Sequence, residues 1–229
     1  MNKNELSQTD LIKKIFTRIS LFIVLMLVIF FVPAGTLAYW EAWVYLIVML
    51  ILMFSFLTYF LKNDPELLER RMRTREKETE QKLIVKFLFL SCLFTVLLPG
   101  FDKRFEWSHV PVVLVIFADI IVLLGYCIVF LAMKENSYAS RIIEVEKEQE
   151  IISTGPYAIV RHPMYLGQVL LLLLTPLALG SYWAIIPALF IIPILMARIR
   201  NEEQILEREL KGYPEYMQKN KFRLIPGIW

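Results

Sequence analysis

Two short stretches of this chain gather side chains whose types and spacing suit chemistry. The first contains Gln149-Glu150-Ile151-Ile152, then Gly155-Pro156-Tyr157, then Arg161-His162-Pro163-Met164-Tyr165 and Gly167. Gly155-Pro156 is a turn signal. Pro163 suits the first turn of a helix, where its missing N–H costs nothing. Arg161 and His162 then stand at a helix entrance, where free N–H groups and the positive dipole end favour an anion. The second stretch runs Arg198-Ile199-Arg200-Asn201-Glu202-Glu203. Arg198 and Glu202 lie one helical turn apart and are neighbours on one face. An arginine there suits bidentate pairing with a carboxylate. A histidine or glutamate nearby suits proton removal from an amine. Metal chemistry has no ligand set. Cys92 and Cys127 fall inside apolar runs and read as small buried hydrophobes, and His109 and His162 are far apart.

The elements that must position these groups are membrane helices. Hydrophobic residues make up 57% of the 229 residues, against about 45–50% in soluble domains. Mean hydropathy is +0.55. The excess lies in long uncharged runs between short charged stretches, which is the pattern of spans rather than of a soluble core. The runs are 19–40, 42–61, 83–100 and 110–133, followed by one long stretch from Pro163 to Ala197. That last stretch is too long for a single crossing of a core about 30 Å thick. Gly180-Ser181 divides it into 163–179 and 182–197. The expected fold is therefore an all-α, polytopic transmembrane bundle of about six spans, with a C-terminal cytoplasmic helix. Residues 1–133 supply the first four spans, and 134–229 supply the cofactor-binding and catalytic region. The polar segment before the first run carries acids as well as lysines. It reads as the flank of a retained anchor rather than as a signal peptide.

Lysine and arginine set the expected orientation. They collect in 1–18, 62–82, 134–162 and 198–229, while the opposite loops hold Lys103 and Arg104. The positive-inside rule puts both termini, both long loops and both chemical clusters in the cytoplasm. Trp40, Trp107, Tyr182 and Trp183 fall at the opposite boundary, as interfacial aromatics do. The loop 62–82 mixes both signs, with Glu66, Glu69, Arg70, Arg71, Arg73, Arg75, Glu76 and Lys77. It reads as a solvated helix with i,i+4 pairs, or as a contact for anionic headgroups. Asp119, an acid inside a span, is either functional or paired within the bundle. A net charge of +3 gives no support to nucleic-acid binding.

Gly155-Pro156-Tyr157, Arg161-His162-Pro163-x-Tyr165-x-Gly167, Arg198-x-x-x-Glu202-Glu203-x-x-Leu206 and the closing Tyr213 and Tyr216 together resemble the isoprenylcysteine carboxyl methyltransferase family and the wider phospholipid methyltransferase group. The resemblance covers roughly 134–226. It implies S-adenosylmethionine as cofactor, held at the cytoplasmic face under the C-terminal segment. It further implies that Gln149, Glu150, Ile151 and Ile152 contact the cofactor, mainly through backbone. Tyr157, His162, Pro163, Met164 and Tyr165 would line the same pocket. Glu202 would take a polar group of the cofactor, with Glu203 beside it as the alternative, and Arg198 would face the acceptor. The eight glycines are scattered and form no Gly-rich strand-to-helix turn, so a cofactor site must be built from helix ends and loops. The expected partner is a lipid or prenylated acceptor entering from the bilayer. A phospholipid amine N-methyltransferase, an NADPH-dependent membrane sterol-type reductase and a small non-enzymatic transporter are the alternatives. The reductase would want more basic residues for a 2′-phosphate, and the transporter would want paired broken helices.

Overall fold

The computed structural model describes residues 8–72, 79–140, 142, 145 and 149–229, which are helical with no strand among them. Eight α-helices follow in order: α1 Gln8–Ala34, α2 Trp40–Asn63, α3 Pro65–Met72, α4 Thr79–Phe105, α5 Val112–Glu135, α6 Pro163–Ala178, α7 Ile185–Glu209 and α8 Tyr213–Lys219. A single 3-10 turn, Gly155–Ala158, precedes α6.

The bundle is inside out. α1, α2, α4 and α5 are each long and apolar enough to cross a membrane, yet in the most buried of them only 28% of the apolar stretch is buried. Val24, Phe54, Phe89 and Phe117 point outward. Apolar surface on this scale faces a lipid solvent, not water.

The last two expected spans, 163–179 and 182–197, correspond to α6 and to the first half of α7. α6 has 16 residues, about 24 Å of helix, and so falls short of a core about 30 Å thick. α7 has 25 residues, but its apolar half ends at Ala197 and its charged half continues as one helix from Arg198 to Glu209. Boundaries also shift elsewhere. Trp40 opens α2 rather than closing α1, because the chain turns at Gly35–Tyr39. Lys103 and Arg104 lie in the last helical turn of α4.

Close packing sets the frame of the site. α5 and α6 form the most intimate pair, and α4 bridges α1 and α7. Gly125 and Gly167 let the backbones of α5 and α6 touch: a Cβ on Gly125 would come within 2.7 Å of the Gly167 carbonyl oxygen. This is small-residue packing of the kind that membrane helices use. At the far end, buried Asp102 accepts hydrogen bonds from the Ser108 N–H and hydroxyl, both at 2.7 Å, and from the Ser181 hydroxyl. One carboxylate thereby ties the α4–α5 loop to the α6–α7 turn.

Within the charged loop between α2 and α4, the described residues form α3, which docks against the bundle by one face. Leu67 and Leu68 of α3 are buried. Arg70 pairs with Glu66 at 2.9 Å, the expected i,i+4 contact. Its other nitrogen donates to the Ser137 carbonyl at 2.5 Å. Arg73, Arg75, Glu76 and Lys77 lie outside the described residues.

Candidate active site

The site forms where α5 ends, α6 begins and α7 leaves the apolar part of the bundle. Beyond α5, the Asn136 side chain accepts the Tyr138 N–H at 3.0 Å and turns the chain. Residues 149–152 lead to the 3-10 turn, which buries Tyr157. Tyr216 and Asn220 both donate to the Tyr157 carbonyl at 2.8 Å, so α8 and the tail pin this turn. The tail also pairs with the α6 entrance through backbone: Arg161 N–H to Phe222 carbonyl and His162 N–H to Arg223 carbonyl, each 2.9 Å. Gly212 makes the α7–α8 corner with φ +87°, a left-handed conformation that favours glycine.

His162 is the N-cap residue of α6, and Pro163 takes the first helical position. Helix geometry leaves the Met164 and Tyr165 N–H groups without an intrahelical partner. Behind them lies an ionic cluster centred on Glu203. Its Oε1 accepts from Arg161 Nε at 2.7 Å and meets His162 Nε2 at 3.2 Å; its Oε2 accepts from Arg223 Nε at 2.6 Å. Glu203 is 3% exposed. Burial would raise its carboxyl, but the hydrogen bonds from His162 and Arg161, the charge of His162 and the Arg223 contact outweigh it. They hold the group down to about 2.

Glu202 has a different environment. It takes the Tyr165 hydroxyl proton in a 2.6 Å hydrogen bond to Oε2. The Tyr165 oxygen in turn accepts from Arg198 Nε at 3.0 Å. The expected Arg198 and Glu202 neighbours are thus joined through a phenol from α6. Arg198 Nη1 also donates to Gln81 Oε1 of α4 at 2.9 Å, and the Gln81 amide donates to Asn201.

Several of these groups wall a cleft whose empty space, part of it open to solvent, is about 860 Å³. Gln149, Glu150, Ile151 and Ile152 form one side. Tyr157, His162, Met164 and Tyr165 form the floor, and Arg198 and Glu202 come from α7. Pro163 is buried at the first helical position of α6 but is not part of the wall. No motif in the sequence marks Asn136, Tyr138 or Ser140, which line the cleft from the α5 end. Nor does any mark Gln81, whose contact with Arg198 spans 117 residues. Leu206, Leu210, Tyr213 and Tyr216 also line the cleft, and they pack together with Ile151. Burial raises the phenols of Tyr157, Tyr213 and Tyr216, so they act as neutral hydrogen-bonding walls.

Residues 113–211 match the phospholipid methyltransferase family model. The matched stretch opens in α5 and ends just past α7. It contains Tyr157, His162, Tyr165, Arg198 and Glu202 together with the helix ends that carry them. The match supports a membrane methyltransferase in general. It covers the wider group that the motifs resemble, not specifically its isoprenylcysteine carboxyl branch. No curated protein matches the chain.

A second cavity, about 1190 Å³ including open space, adjoins the cleft on the α4 side. Met164, Tyr165 and Arg198 belong to both walls. Asp119 belongs to neither. It lies 16 residues before the end of α5, about 24 Å along the helix, and its two carboxylate oxygens are buried without a hydrogen-bond partner among the described residues.

Proposed function

We propose that this chain is an S-adenosylmethionine-dependent methyltransferase whose cofactor lies in the cleft and whose acceptor is a lipid-like carboxylate of the isoprenylcysteine type. The observation that carries this reading is the shared wall. Tyr165 and Arg198 stand between a polar cleft and a second cavity lined by apolar residues of α4. Two reactants approaching from opposite sides would meet there, which is the positional requirement of a direct transfer.

The donor set of the cleft fits the cofactor. Glu150 and Glu202 offer acceptors for an ammonium group and ribose hydroxyls. Arg161, His162 and the first N–H groups of α6 offer donors to a carboxylate. Ile151, Leu206, Leu210 and the tyrosines offer apolar and aromatic surface to a purine. When bound, S-adenosylmethionine supplies an electrophilic methyl group on a sulfonium. Arg198 orients the acceptor carboxylate, which is already ionised and gives up no proton. The transfer would exchange the cofactor's S–C bond for an O–C bond on the acceptor and release a neutral thioether. The tyrosines that line the cleft exclude water. On this reading the cleft opens toward the cytoplasm, as the charge distribution of the loops suggests.

A phospholipid amine acceptor is the second reading, favoured by the description of the matching family. Glu202, hydrogen-bonded to Tyr165, would then take the amine proton. The reductase and transporter readings are not favoured by the family match. Calorimetric binding of S-adenosylmethionine to the detergent-purified chain tests the cofactor assignment. Saturable binding that His162→Ala and Glu202→Ala both weaken supports it. A folded wild type that binds NADPH and not S-adenosylmethionine overturns it.

A further inference from the structure

The second cavity has an unusual wall. Its apolar side comes from α4, with Val85, Leu88, Phe89 and Cys92. Phe89 is 64% exposed, so this side opens onto the lipid-facing surface of the bundle. The opposite side carries two guanidinium groups, from Arg71 on α3 and Arg198 on α7.

Arg71 reaches this place through packing that the sequence does not announce. The two buried leucines of α3 fix the short helix against the bundle. Arg71 Nη1 donates to the Ser140 carbonyl at 3.1 Å and lies 3.8 Å from Met164 Sδ. Ser140 and Met164 both line the cleft as well. The guanidinium is therefore fixed beside the boundary between the two cavities, on a helix outside the family-matched stretch.

We propose that Arg71 and Arg198 together hold the anionic oxygens of an amphiphilic acceptor, whose apolar chain lies along α4. Two fixed positive groups at one end and apolar surface at the other match a carboxylate or phosphate carried on a lipid chain. Arg71 is then a specificity residue supplied by the N-terminal helices. The proposal rests on the methyl-transfer reading for the direction in which the acceptor faces. The recognition of the anion stands on the cavity itself.

The test is equilibrium binding to the full chain in neutral detergent micelles. The probes are an S-farnesylcysteine amphiphile with a free carboxylate, its uncharged carboxamide, and lysophosphatidylethanolamine. S-adenosylhomocysteine is titrated separately. The carboxylate or the phospholipid should bind at least about tenfold more tightly than the carboxamide, a difference of about 1.4 kcal/mol. Arg71→Gln should abolish most of that preference and leave S-adenosylhomocysteine binding unchanged. Arg71→Lys should keep part of it, and decides the matter if the glutamine variant fails to fold. The acid arm and the phospholipid arm identify which oxyanion is held. Equal binding of the carboxamide and both anionic probes, or a preference untouched in a folded Arg71 variant, overturns the proposal. Failure of S-adenosylhomocysteine to bind wild type sinks the methyltransferase reading instead, and leaves the amphiphile titrations to judge the arginine pair.

Discussion

Tyr165 donates its hydroxyl proton to Glu202 across 2.6 Å, joining the first turn of α6 to the charged half of α7. The same oxygen accepts from Arg198. Removing the hydroxyl disconnects both groups at once while leaving the ring in place. A neutral hydrogen bond contributes about 0.5–1.5 kcal/mol, and one to a charged group about 1.5–3. Tyr165→Phe should therefore fold, with a modest loss in thermal midpoint. Its turnover should fall by about tenfold or more, as expected for lost positioning. A turnover equal to wild type would show that the bridge plays no part in catalysis.

Glu202 and Glu203 should separate cleanly. Glu203 meets three basic side chains inside the protein. Removing one partner of a buried ionic cluster costs about 3–5 kcal/mol, so Glu203→Gln should unfold at markedly lower temperature or fail to accumulate. Glu202→Gln should melt near wild type and weaken cofactor binding. Thermal melts in detergent, paired with calorimetry, read both effects. Reversed behaviour would exchange their roles.

Acid should act through Glu203. Its folded-state carboxyl is held down to about 2, below the value of about 4.3 for an unfolded glutamate. The unfolded chain therefore binds the proton first as pH drops. The stabilisation is complete above about pH 4.3 and is lost as pH falls toward 2. A melting series from pH 6 to 3 should show a decline at the acid end that is flatter in Glu203→Gln.

Arg198→Lys keeps the charge but loses the planar fork. The acceptor KM should rise about tenfold, and the Tyr165 and Gln81 contacts, which both use the guanidinium, should weaken with it. Unchanged acceptor kinetics would argue against bidentate recognition and toward the amine reading.

The α5–α6 contact should resist even one methyl group. A Cβ on Gly125 would meet the Gly167 oxygen and the Leu171 nitrogen at 2.7 and 3.0 Å. Both are backbone atoms, which cannot swing aside. Overpacking of this kind costs about 1–3 kcal/mol. Gly125→Ala and Gly167→Ala should each lower the melting temperature, and activity should fall with the displacement of α6. An alanine at either position with wild-type stability would show that the helices can part.

Much of this architecture is legible in one dimension. Apolar run length marks the helices that can cross a membrane, because a bilayer demands a fixed thickness of apolar residues. Charge marks the segments between them. The Arg-His-Pro turn marks the entrance of α6, since proline is tolerated at the first helical position. Helical spacing likewise places Arg198 and Glu202 on one face.

Tertiary structure decides the rest. Adjacent helical residues point about 100° apart, so which of Glu202 and Glu203 turns inward depends on how α7 rotates against α6 and the tail. No local pattern contains that angle. Tyr165 comes between Arg198 and Glu202 because two helices meet at that height. Gln81 reaches Arg198, and Arg71 reaches Met164, from segments more than 90 residues away in sequence. The existence of the apolar helices was therefore written in composition, whereas the different surroundings of Glu202 and Glu203 and the placing of Arg71 and Arg198 on one cavity came from packing. Hydropathy acts on each segment alone; side-chain partnerships depend on the relative positions of all of them.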